Sequence, residues 1–110
     1  MGENEKSEKW LERELCRRVK ELGGVALKYS SATRTGYPDR VCLLPEGVTV
    51  WVELKSKGKY LTALQSVRIA DMRALGSAVH VVDSVEKLER AVGDMEKRII
   101  RAMAQGGGGR

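Results

Sequence analysis

Two mostly apolar runs, RVCLLP at 40–45 and TVWVELK at 49–55, are separated only by Glu46, Gly47 and Val48. So short a connection between β-branched segments permits little except a hairpin that reverses around Glu46-Gly47. Side chains alternate along a strand, so Val50, Val52 and Leu54 face one way while Thr49, Trp51, Glu53 and Lys55 face the other. Counting back from the turn sets residue 39 roughly opposite residues 53 to 54. The hairpin therefore predicts that Asp39 and Glu53 are neighbours in space. Adjacent carboxylates repel, which costs stability unless a cation lies between them or one keeps a proton.

The rest of the chain frames this hairpin. Leu11, Leu15, Val19 and Leu22 recur at i, i+4, i+8 and i+11 in residues 7–24, the pattern of an amphipathic helix stopped by Gly23-Gly24. Glu12 borders that stripe and can lean over the edge of the core, whereas Glu8, a turn earlier, is expected in solvent. VALKYS at 25–30 reads as a first strand, followed by the polar loop SATRTGYP. Beyond the hairpin, Thr62 to Leu75 reads as a helix opened by the capping box Thr62-x-x-Gln65 and closed by Gly76. AVHVVD at 78–83 is a fourth strand, and Ser84 is placed to cap a last helix carrying Leu88, Val92, Met95 and Ile99. Gly93 is positioned to break that helix in two. The order α-β-β-β-α-β-α predicts an α/β fold, a mixed four-stranded sheet flanked by helices, with no internal repeat. Residues 1–104 read as one domain and 105–110 as a flexible Gly-rich tail.

Composition narrows the function. A chain of 110 residues, 42% hydrophobic and 32% charged, supports one domain with one core, so a single domain must both recognise and act on any substrate. Its net charge of +5 favours a polyanionic partner such as nucleic acid. No apolar run approaches the ~20 residues of a membrane span, and the first residues lack a signal-peptide apolar region, so the expected location is cytoplasmic. Cys16 and Cys42 lack CxxC spacing and read as reduced core residues. His80, the one histidine, sits in an apolar run and reads as partly buried and hydrogen-bonded, which leaves zinc and histidine-based nuclease chemistry without ligands.

A hard divalent cation is one way to reconcile Asp39 with Glu53. Mg2+ takes one or two carboxylates, waters and substrate phosphate oxygens, and the Leu54 carbonyl could add a further ligand. Lys55 could then orient or help deprotonate an attacking water and offset charge on the phosphate. An ordinary cross-strand salt-bridge cluster is the plainer alternative. No nucleophile with a paired base is evident, so no covalent intermediate is expected. Lys28, Arg34, Arg40, Lys57 and Lys59 lie on strand ends or loops where they could contact DNA phosphates. Arg17, Arg18 and Lys20 read as a solvated helix face. Tyr29 and Tyr37 could stack on an unpaired base or pack partly into the core.

Pro38-Asp39 followed by Glu53-Leu54-Lys55 resembles the PD-(D/E)XK nuclease signature. With the ERELCRRVKELGG helix, GYPDR, the hairpin and SKGKYLTALQ in order, residues 8–90 are similar to the VRR-NUC family, particularly its small stand-alone phage and bacterial versions. The first helix also resembles that of Holliday-junction resolvases. The resemblance implies a restriction-endonuclease-like fold and a Mg2+- or Mn2+-dependent endonuclease that hydrolyses DNA in the cytoplasm of a bacterial or phage-infected cell. Carried over by position, Asp39, Glu53 and Glu12 would hold metal, Lys55 would be the catalytic lysine and Gln65 would support the site, although the capping box explains Gln65 equally. Ser30 and Ser31 lie where resolvases carry a site serine. The same resemblance suggests a homodimer that resolves four-way junctions, with the Leu88, Val92, Met95 and Ile99 stripe as its interface or packed on its own sheet. Alternatives are a nuclease of flap, nicked or linear DNA, or a non-catalytic nucleic-acid-binding module. A purely structural partner protein would leave the acidic cluster unexplained.

Overall fold

The computed structural model describes residues 4–106. Ser7 caps the first helix, α1 (Glu8–Glu21), by accepting from the Trp10 N–H. The helix ends where the Gly24 N–H donates to the Val19 carbonyl at 3.0 Å. A Cβ on Gly24 would collide with the Leu43 carbonyl and the Leu44 side chain, so only glycine lets the chain pass that close to the sheet.

Four strands follow: β1 (Val25–Lys28), β2 (Arg40–Leu43), β3 (Thr49–Leu54) and β4 (Ala78–Val82). They lie in the order β1-β2-β3-β4, antiparallel except for the parallel β3–β4 pair. The β2–β3 connection is a single tight turn over Pro45–Gly47, in which Glu46 takes a left-handed φ of 65°. Such a conformation is uncommon for a residue with a side chain and marks strain at the reversal. α2 (Ala63–Ala74) provides the crossover from β3 to β4, and α3 (Val85–Ala104) ends the described chain.

The alternation read from β3 sets the layers. Val50, Val52 and Leu54 point into a core shared with Leu11, Leu15 and Val19 of α1 and Leu88, Ala91, Val92 and Met95 of α3. Val50 and Val52 are fully buried, each worth roughly 1.5–3 kcal/mol. The opposite face carries a smaller cluster of Trp51, Val79 and Val81 against Ile69 and Met72 of α2. One helix covers little of that face, leaving Val25, Leu27 and Leu43 between 43% and 48% exposed.

The structure decides two expectations about α3. The helix runs unbroken through Gly93, because burial of its apolar side outweighs the ~1 kcal/mol that a helical glycine costs. Leu88, Val92 and Met95 are buried in the chain's own core and Ile99 packs against it, so that stripe is not a free interface. Of the expected tail, Gln105 and Gly106 form a turn, and 107–110 lie outside the described residues.

Candidate active site at the open end of the hairpin

Arg40 pairs with Val52 in the β2–β3 register, which brings Asp39 and Glu53 together at the end away from the turn. The Asp39 N–H donates to Glu53 Oε1 at 3.2 Å. Glu53 is only 5% exposed. Its Oε2 accepts from Gln65 Nε2 at 3.2 Å and lies 3.7 Å from Lys55 Nζ. Three of the expected site residues, Asp39, Lys55 and Gln65, therefore converge on the Glu53 carboxylate. Gln65 serves two purposes, because its Oε1 accepts from the Thr62 N–H at 2.9 Å, completing the capping box, while its NH2 end turns to Glu53.

The pair is electrostatically strained. Burial first, and then the charge of Asp39, push Glu53 up to about 7, and Lys55 offsets this only in part. Burial also raises Asp39, as do the charges of Glu8 and Glu12, against the opposing N–H groups of Leu54 and Asp39 itself. Asp39 Oδ1 is buried and has no hydrogen-bond partner. A buried acceptor without a donor is costly, and sites that bind ions are among the places where one persists.

Glu12 stands apart from this pair. Alternation turns Arg40 toward α1, where one guanidinium nitrogen donates to Glu12 Oε2 at 2.7 Å and another to the Ala26 carbonyl at 3.0 Å. The hydrogen bond from Arg40 holds the Glu12 carboxyl below its usual range. Arg40 is thus turned inward and already partnered, rather than offered to phosphates as its place in the sequence suggests. Glu8 is exposed, as expected, but it faces the site. With Glu12, Lys28, Tyr29, Ser30 and Asp39 it lines a cleft of about 470 Å³, and its charge raises both Asp39 and Glu53. The i, i+4 spacing of Glu8 and Glu12 was the available signal for this.

The other basic candidates divide. Lys28 lines the cleft, and Arg34 lies in a second pocket beside it. Lys57 is ion-paired with Glu5 at 2.6 Å, while Lys59 is exposed in the turn after β3. Away from the site, His80 bonds Asp94 at 2.7 Å, and burial pushes the Cys42 thiol up to about 12, leaving it inert.

Among the described residues, no three His, Cys, Asp or Glu side chains gather as a ready ligand set. Two carboxylates with an unpartnered oxygen still suit Mg2+ or Mn2+, which fill their remaining positions with water and substrate phosphate. The donor set fits such a cation.

A mixed sheet between helices, with Pro38-Asp39 leading into β2 and Glu53-Leu54-Lys55 closing β3, defines a PD-(D/E)XK nuclease fold. A solved structure described as "VRR_NUC domain" superposes with a TM-score of 0.73 and 27% identity, over 80% of this chain and 97% of that one. "Putative nuclease p44" of Acyrthosiphon pisum secondary endosymbiont phage 1 is 40% identical over 74 residues, covering 67% of this chain and 80% of the relative. The chain belongs to the VRR-NUC family of nucleases. No family model matches it.

Proposed function

We propose that the protein is a Mg2+- or Mn2+-dependent endonuclease that hydrolyses DNA phosphodiesters, with Asp39, Glu53, Lys55 and Gln65 as its working centre. The observation that carries this reading is the pairing of Asp39 with buried Glu53, with an unpartnered Asp39 oxygen and Lys55 Nζ 3.7 Å from Glu53. Asp39, Glu53 and the Leu54 carbonyl would hold the cation, with Glu8 or Glu12 contributing from α1. A divalent cation there supplies Lewis acidity and lowers the pKa of a bound water. Lys55 Nζ orients the attacking water and offsets negative charge on the phosphate. Gln65 is a positioning residue: its amide fixes the Glu53 carboxylate and anchors that carboxylate to the start of α2. Lys28 sits where it can meet a phosphate entering the cleft.

We further propose a homodimer acting on branched DNA in the cytoplasm of a bacterial or phage-infected cell. A four-way junction presents two equivalent strands, which a two-fold dimer would match with two equivalent sites. The α3 stripe is used internally, and the exposed Val25, Leu27 and Leu43 face offers an apolar surface to a second copy. The test is cleavage of junction, flap, nicked and linear DNA with Mg2+, Mn2+ or chelator, paired with light scattering. The reading predicts metal-dependent cuts that favour branched substrates and a particle of about twice 12.2 kDa. Nucleic-acid binding without metal-dependent cleavage of any substrate would make the chain a non-catalytic binding module.

A further inference from the structure

The loop between β1 and β2 is anchored to the fold at both ends. Arg68 of α2 donates to the Thr35 carbonyl at 2.9 Å, and its guanidinium lies 5.1 Å from the centre of the Tyr37 ring. Gly36 adopts a φ of +91°, and a Cβ there would meet Leu64 Cγ at 2.8 Å and Arg68 Cγ at 3.0 Å. At the loop's other end, Trp51 meets the Tyr29 ring edge to face, with ring centres 5.1 Å apart.

Between these anchors lies a pocket of about 180 Å³, walled by Tyr29, Ser30, Ser31, Arg34 and Tyr37. It is well below the ~300 Å³ at which pockets begin to take drug-sized ligands, and its size suits one flat ring. Tyr29 and Ser30 also line the Asp39 cleft, so the two cavities share a wall. Arg34 lies 6.0 Å from the Tyr37 ring, and among the described residues no carboxylate ion-pairs with it.

We propose that this pocket is a subsite for one unstacked nucleobase beside the cleaved phosphate, with Tyr29 as its stacking surface and Arg34 holding the adjoining phosphate. An aromatic ring takes any base by its π-face, hydroxyls bond its edge, and an arginine without an acid partner suits a phosphate. A duplex fills such a pocket only by flipping a base out of its stack, at a cost of about a few kcal/mol that an unpaired base avoids. The substrate class is therefore DNA with an unpaired nucleotide next to the cut, such as a fork or flap, or an opened branch point. This inference rests on the nuclease reading of the adjacent cleft.

The experiment uses the full chain with forked DNA carrying 5-iodouracil at successive unpaired positions, irradiated with Ca2+ in place of Mg2+. Peptide mapping should find one position crosslinked within residues 29–37, and Tyr29→Leu should remove that crosslink. Arg34→Ala, on an exposed part of the loop, should weaken it several-fold without affecting folding. In Mg2+, an abasic nucleotide at the crosslinking position should slow wild-type cleavage about tenfold, and Tyr29→Leu should cancel that difference. Crosslinks elsewhere or none, or an unchanged crosslink in both variants, would overturn the subsite. Forks cut in Mg2+ without a loop crosslink would overturn the subsite alone, whereas a loop crosslink without cleavage of any DNA would support the subsite and overturn the nuclease reading.

Discussion

Adjacent residues at the start of β2 belong to opposite electrostatic regimes. Arg40 points to the α1 face and meets Glu12 at 2.7 Å, an opposite-charge pair whose acid is held below its usual range. Asp39, one residue before the strand, meets Glu53, a like-charge pair whose members are both raised. Glu53 is shielded from water, while Asp39, Arg40 and Glu12 are only partly so. Each pair leaves one buried polar atom without a partner, Arg40 Nε in the first and Asp39 Oδ1 in the second, but only the second sets two like charges together. The first pair ties α1 to β2, while the second sets like charges at the open end of the hairpin, an arrangement that costs stability.

The largest expected effect comes from removing the strained pair. Asp39→Asn or Glu53→Gln should abolish metal-dependent cleavage while leaving the metal-free protein as stable as wild type or more so, measured by turnover assay and urea unfolding. Lys55→Ala should lower turnover by about 10²–10⁴-fold while preserving metal binding. A Glu53→Gln protein that cuts at the wild-type rate would remove this pair from the mechanism.

The pH dependence of stability has a definite sign. Glu53 titrates higher when folded, near 7, than it does unfolded, near 4.5, so the folded state binds more protons between those values. Its contribution is full below about pH 4.5 and is lost as pH rises through about 7. In chelator, wild-type stability should therefore fall by of order 3 kcal/mol over that window relative to Glu53→Gln. Parallel profiles for the two proteins would show that the pair is not strained.

Breaking the opposite-charge pair should act on stability instead. Arg40→Leu leaves Glu12 without its partner and should cost about 2 kcal/mol, less than a fully buried pair because Glu12 keeps some solvent contact. Adding Glu12→Leu should recover most of that loss. The smallest effect is expected at Gln65. Its alanine variant keeps the Thr62 cap but loses the reciprocal bond from the Thr62 N–H, worth about 0.5–1 kcal/mol, and the Glu53 contact, worth about 10–100-fold in turnover. Gln65→Glu can keep the capping bond but sets a further carboxylate against Glu53, so activity should fall.

Much of the working end was legible because it rests on strand periodicity. Alternation and a short turn suffice to place Asp39 against Glu53, and the register agrees. The Thr62-x-x-Gln65 box is likewise local, and the structure retains both readings of Gln65 because an amide has two ends. What was not legible depends on layers meeting across the fold. Arg40 finds Glu12 only after α1 packs behind β2, and nothing near either residue in the chain announces it. Glu8 was assigned to solvent because it precedes the apolar stripe, yet the cleft lies on that side. The interior use of the α3 stripe depended on how much of the sheet α1 left uncovered, which no periodicity reports.

The central claim is that Asp39 and Glu53 are held together for a divalent cation. Its most direct test is thermal unfolding near pH 8 with chelator and with saturating Mn2+, for wild type and Glu53→Gln. Mn2+ should stabilise wild type by about 2.7 kcal/mol at a hundredfold excess over its dissociation constant, a shift of several degrees, and should leave Glu53→Gln almost unchanged. An equal shift in both proteins, or none in wild type, would contradict the account.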